Sequence, residues 1–145
     1  DSLTGRARDI VAQADTFFVA SLTGKETGFV AGADVSHRGG LPGFVQIDDD
    51  YTITVPDYRG NFFFNTLGNF LINPQAGLLF VDFETGDMLM LSGDVELLLD
   101  DLVPDNEPDM GRRWRFRLRK GNLLRHASPW VWDFLQTSAS FTAMA

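Results

Sequence analysis

The chain has 145 residues, 44% hydrophobic and 22% charged, with a formal net charge of −8 and no cysteine. Those values describe one globular domain over residues 1–145 with a core of ordinary size. They exclude disulfides, thiolate nucleophiles, iron–sulfur clusters and cysteine zinc sites, and an acidic chain repels nucleic acid and anionic membrane surfaces alike.

No apolar run approaches the roughly 20 residues that span a bilayer. Residues 1–14 (DSLTGRARDIVAQA) lack the apolar core of a leader peptide, so a cytoplasmic location is the expectation. In chain order, a helix is expected over residues 4–14, with Thr4 as its cap and Ile10, Val11 and Ala14 on one face. Residues 16–23 (TFFVASLT) read as a strand, Gly24-Lys25 as a turn, and residues 28–36 (GFVAGADVS) as a second strand weakened by its glycines. Residues 37–43 (HRGGLPG) are too rich in Gly and Pro to be regular. Residues 44–47 and 51–55 flank Asp48-Asp49-Asp50, the pattern of a hairpin with a short acidic turn.

A loop with Pro56 and Gly60 leads to a helix over about residues 64–72, which stops at Asn73-Pro74 because the residue before proline avoids helical angles. Residues 76–83 (AGLLFVDF) form an apolar central strand. Thr85-Gly86-Asp87 turns the chain into a strand over residues 88–98, and a loop surrounds Pro104 and Pro108. Residues 112–120 (RRWRFRLRK) alternate and form another strand; residues 128–136 (SPWVWDFLQ) read as a short helix. The order is that of a mainly β (α+β) antiparallel barrel with short flanking helices, without the strand–helix alternation of a Rossmann fold.

Three stretches carry candidate chemistry. A helix start near Gly60 offers unpaired amides to a phosphate, with Asn61, Asn65 and Thr66 as short donors; an ordinary capped core helix reads the same way. His37 and Arg38 are positive groups beside Gly39 and Gly40, which lack the side chains that would keep a flat ring from the backbone; a solvated surface loop is the plain alternative. Arg113, Arg115, Arg117 and Arg119 share one strand face, opposite Trp114, Phe116 and Leu118. Their partner is either the acidic stretch 94–109, in the same or a second subunit, or the phosphate of a pyridine nucleotide. Trp130, Trp132 and Phe134 either pack in a core or interface or cover a ligand. The Asp48–Asp50 turn lacks calcium-loop spacing, and two histidines build no triad, so no metal ligand and no catalytic residue is assigned.

Four motifs then carry a resemblance: HRGGLPGF (37–44), PDYRGN (56–61), NTLGNFLINP (65–74) and GLLFVDFETGDMLMLSG (77–93). In order and spacing, over residues 15–97, they resemble the pyridoxamine 5′-phosphate oxidase-like FMN-binding split barrels. The resemblance implies a six-stranded split barrel that forms a homodimer with FMN at the subunit interface. It implies a phosphate near Gly60, Asn61, Asn65, Thr66, Leu67 and Asn69, an isoalloxazine ring beside the strand through Gly43, Phe44 and Val45, and His37, Arg38, Gly39 and Gly40 as further cofactor contacts. It further implies an FMN-dependent oxidoreductase passing electrons from NAD(P)H to a small acceptor. A non-catalytic flavin module and a cofactor-free dimer are the alternatives, and F420 and haem are cofactors of other split barrels. Phe64, Asn65 and Thr66 stand where the family's oxidase has Ser-Arg-Lys, and its C-terminal substrate motifs are not evident, so the resemblance is to the family and not to that enzyme.

Overall fold

Two helices and seven strands follow one another in the chain: α1 (Gly5–Gln13), β1 (Thr16–Leu22), β2 (Ala33–Gly39), β3 (Gln46–Ile47), β4 (Thr52–Pro56), α2 (Asn65–Ile72), β5 (Gln75–Val81), β6 (Met88–Leu98) and β7 (Arg113–Leu124). They are seen in a computed structural model, which describes residues 1–24, 32–58, 65–98, 112–136 and 139. Lys25, residues 28–31, Gly60, Asn61, Phe63, Phe64 and the loop around Pro104 and Pro108 lie outside the described residues, as does the side chain of Asn65.

The strands form one antiparallel sheet in the order β2-β1-β5-β6-β7-β4-β3. The expected class, mainly β with helices, holds, but the count of six strands does not. Two residues on each side of the Asp48–Asp50 turn pair as Gln46↔Thr54 and Ile47↔Ile53, and this short hairpin adds β3 as a seventh strand. Among the described residues no pairing joins β2 to β3, so the sheet is unclosed.

Period-two burial runs through every long strand. Phe17, Val19 and Ser21 of β1, Ala76, Leu78 and Phe80 of β5, and Trp114, Phe116 and Leu118 of β7 point inward. Phe17 stacks on Phe80 with centroids 4.8 Å apart, and Trp114 meets Phe70 of α2 at 5.6 Å. A bulge between Ser92 and Gly93 sets Ser92 opposite Lys120 and Gly93 opposite Leu118, leaving Arg119 as the extra residue. Only glycine suits this position, because a Cβ on Gly93 would sit 2.1 Å from the Arg117 carbonyl oxygen.

Three local expectations are corrected. His37, Arg38 and Gly39 are regular strand, since they pair with Phe18, Phe17 and Thr16 of β1 and the ladder overrides the low β propensity of glycine. Residues 128–136 are not helical: Ser128 Oγ accepts from the Trp130 N–H, and Trp132 N–H bonds instead to the Phe83 carbonyl, 2.9 Å away. Thr4 occupies the N-cap position of α1 but makes no side-chain capping bond. On α2, Thr66 and Phe70 form the buried face, while Leu71 is 70% exposed.

Candidate functional site

β2 has a polar inner row. Its alternation turns Asp34, Ser36 and Arg38 to the side covered by α2, and Arg38 is only 3% exposed. Thr66 in the first turn of α2 is buried against this row. Its hydroxyl donates to Asp34 Oδ2 at 2.9 Å and lies 3.0 Å from Ser36 Oγ. A hydroxyl has one hydrogen, so Ser36 is the donor to Thr66, and the chain Ser36–Thr66–Asp34 ends on a carboxylate. One turn on, Asn69 Nδ2 donates to Ser21 Oγ of β1 at 2.9 Å. Three polar contacts thus seat α2 across β1 and β2.

Arg38 is the cation of this corner. Its Nη1 is 3.5 Å from Asp57 Oδ1, and Arg112 Nε approaches the other oxygen of the same carboxylate at 3.6 Å. Burial pushes the Arg38 pKa down, with Asp57 and then Asp34 pulling the other way. Among the described residues, the buried donors Arg38 Nε and Trp114 Nε1 have no hydrogen-bond partner.

The sequence-derived site residues fall into three places. Thr66 and Asn69 sit on the seam of β1, β2 and α2, with Leu67 packed on the nearby core, while Arg38 lies two residues beyond Ser36 on the same row of β2 and faces Asp57. His37 faces the opposite side of β2 and is exposed. Gly40 and Phe44 touch each other: a Cβ on Gly40 would lie 2.5 Å from the Phe44 ring, so that ring fills the space Gly40 leaves. Gly39 ends β2 opposite Thr16. Asp34, Ser36, Ser21 and Asp57 went unnoticed in the sequence. The signal for the first two was the polar alternation D-x-S-x-R over residues 34–38, obscured by reading that strand only for its glycines.

The opposite face of the sheet is apolar and open. Val35, Phe18, Leu22 and Met90 project from β2, β1 and β6, with the small residues Ala20, Gly77 and Ser92 aligned between them across the strands. His37 stands beside Phe18 on this face. Further along the sheet, Arg115 of β7 pairs with Glu96 of β6 and with Asp48 in the turn after β3, and Arg119 pairs with Asp94 of β6.

A second polar cluster clamps the β5–β6 turn. Arg6 of α1 binds Asp82 and Asp87, and Asp87 also accepts from the His126 N–H at 2.9 Å. That backbone bond, against burial and with help from Arg6, holds the Asp87 pKa below the usual carboxylate range. For Asp82 burial acts upward, but the bonds from Arg6 and from the Thr85 N–H outweigh it, and its pKa is also lowered.

No family model and no curated protein matches the chain. Among solved structures it is similar to a Clostridium acetobutylicum protein related to general stress protein 26 of B. subtilis and placed in the pyridoxinephosphate oxidase family. That match has 20% identity and a TM-score of 0.58, over 84% of this chain and 87% of that one. Group A Streptococcus HupZ is similar at 13% identity and a TM-score of 0.59, over 81% and 90% of the two chains. A Corynebacterium diphtheriae protein of unknown function is similar at 11% identity and a TM-score of 0.52, over 83% and 93%. These likenesses define the architecture as an antiparallel split barrel. The chain has the fold of the pyridoxinephosphate oxidase family.

Proposed function

We propose that the chain binds FMN as a homodimer and acts as a flavin oxidoreductase that takes electrons from NAD(P)H. The observation that carries this reading is the meeting of β2 with the first turn of α2. It ties the helix that carries NTLGNFLINP to the strand that leads into HRGGLPGF, through the Thr66–Asp34 and Thr66–Ser36 contacts.

An anionic group fits this corner on one chemical ground. Arg38 Nε–H is a buried donor with no acceptor among the described residues, on the same row of β2 that the first turn of α2 covers, and the amides of that turn have no partner within the helix. Arg38 would supply the charge, with Asp57 fixing its guanidinium, and the first-turn amides of α2 would supply neutral donors. The Thr66 hydroxyl is committed to Asp34, so its backbone N–H is what it offers an anion. When bound, a flavin supplies the redox chemistry itself, and the protein's part is to hold and orient it. The apolar outer face around Val35, Phe18 and Leu22 suits an isologous partner, which would also enclose His37.

Titration with FMN, read by flavin fluorescence and thermal stability, tests the reading. Saturable binding that falls at least about tenfold on Arg38→Met, a loss of roughly 1.4 kcal/mol, supports it. Steady-state oxidation of NADH and NADPH above that of free FMN supports the oxidoreductase. One observation favours a second reading, a split-barrel dimer without cofactor: Arg38 and Thr66 already hold carboxylate partners within the chain. A protein that is dimeric by sedimentation yet shows neither FMN binding nor a thermal shift would select that reading.

A further inference from the structure

A cleft of about 660 Å³ lies between α1, the end of β5 and the segment after β7. It shares no lining residue with the seam of β2 and α2. Its volume is that of a small-molecule site. Ile10 and Ala14 of α1 and Val81 of β5 supply aliphatic walls, and Phe83, Trp132 and Phe134 supply aromatic ones. The aromatic wall is built rather than incidental. Trp132 meets Phe83 edge to face, with centroids 5.4 Å apart at 88°, and its backbone N–H is tied to the Phe83 carbonyl. Half of the Trp132 surface is still open.

The polar lining has one sign. Asp15, Asp82, Glu84 and Asp133 border the cleft, and no Lys, Arg or His is among its described lining residues. Arg6 neutralises Asp82. The side chains of Asp15, Glu84 and Asp133 make no hydrogen bond or ion pair with the described residues. An anion entering here would face three uncompensated carboxylates. A neutral apolar molecule would fill the walls and desolvate those carboxylates without compensation. A cation on an apolar body satisfies both features, and an open indole face adds cation–π attraction.

We propose that this cleft binds a small organic cation, a quaternary or protonated amine carried on an aromatic or branched apolar body. Charge complementarity at short range is reinforced by the chain's net charge of −8, which draws cations from a distance. The site is independent of the flavin reading and stands whether or not FMN binds.

The test compares benzyltrimethylammonium with its uncharged isostere neopentylbenzene, each titrated into the full chain and followed by tryptophan fluorescence and by calorimetry. The expected result is a dissociation constant for the cation at least about tenfold lower than for the isostere. The double variant Asp15→Asn with Asp133→Asn should weaken the cation by roughly tenfold and leave the isostere unchanged. Trp132→Leu should weaken both ligands, and Arg38→Met should alter neither. Thermal unfolding of each variant establishes that it is folded. Equal affinity for the two ligands, indifference of the cation to the Asp variants in a folded protein, or no binding of the cation to the unmodified chain would each overturn the proposal.

Discussion

Replacing Thr66 by valine tests whether the seam beneath α2 is held by its hydrogen bonds. Thr66 is 2% exposed, and valine keeps its shape while removing the hydroxyl. The lost bond to the Asp34 carboxylate is of the charged type, about 1.5–3 kcal/mol, and the lost bond from Ser36 is of the neutral type, about 0.5–1.5 kcal/mol. Asp34 and Ser36 are only half-buried, so water replaces part of both interactions. A net destabilisation of about 1–2 kcal/mol remains, equal to roughly 3–7 °C in melting temperature at this chain length. Urea and thermal unfolding measure it directly. The sharper assay is a double-mutant cycle with Asp34→Ala. If the bond exists, the second substitution in the T66V background removes little more, and the coupling energy is about 1 kcal/mol or larger. A cost for T66V below about 0.5 kcal/mol, together with strict additivity, would refute the bonded seam.

Other consequences follow from single positions. Gly93→Ala should cost about 3 kcal/mol or prevent folding, because its Cβ would lie 2.1 Å from the Arg117 carbonyl oxygen and 2.7 Å from the Phe116 ring. Gly68→Ala, with no atom within 4 Å of the new Cβ in the middle of α2, should instead raise stability by about 0.5–1 kcal/mol, as chemical denaturation will show. Asp82 and Asp87 have depressed pKa values in the folded chain, so their stabilisation is present in full above the unfolded carboxylate pKa of about 4 and is lost as pH falls below it. Melting temperatures from about pH 6 to about pH 2.5 should fall along that arm, and Asp87→Asn should flatten it. Val35→Glu places a charge on the open apolar face at the edge strand β2, and if the proposed dimer forms through this face, sedimentation should find the variant monomeric and the unmodified chain dimeric.

Strand periodicity made most of the sheet legible. The alternation of Arg113, Trp114, Arg115 and Phe116 fixes which face of β7 is buried, and β6 has the bounds read from the sequence, residues 88–98. Asn73-Pro74 marked the end of α2. Glycine content misled at β2, where a cross-strand ladder with β1 extends regular structure through Gly39. The 128–136 segment misled in the other direction. Its aromatic spacing suggested a helix, but Pro129 and the backbone bond from Trp132 to Phe83 hold it open. The polar seam was hardest to read because it depends on register between distant segments. Nothing local joins Asp34 to Thr66, 32 residues away, until β2 and α2 are placed together.

The seam also determines where an anion could enter. Asp34 and Arg38 occupy opposite ends of the inner row of β2, four residues or about 13 Å of strand apart, and Asp34 acts on the buried guanidinium only after burial and Asp57. The negative end is closed off, because the Thr66 hydroxyl points its only hydrogen at Asp34. The positive end keeps one buried donor, Arg38 Nε–H, without an acceptor among the described residues, and the Asp57 contact of Nη1 at 3.5 Å is longer than a normal hydrogen bond. A buried donor so placed is costly, and an oxygen-rich anion would relieve that cost while leaving Asp34 where it is. An anion drawn to α2 therefore approaches on the Arg38 side, and the carboxylate at the far end of the strand sets a limit on how deeply it can penetrate.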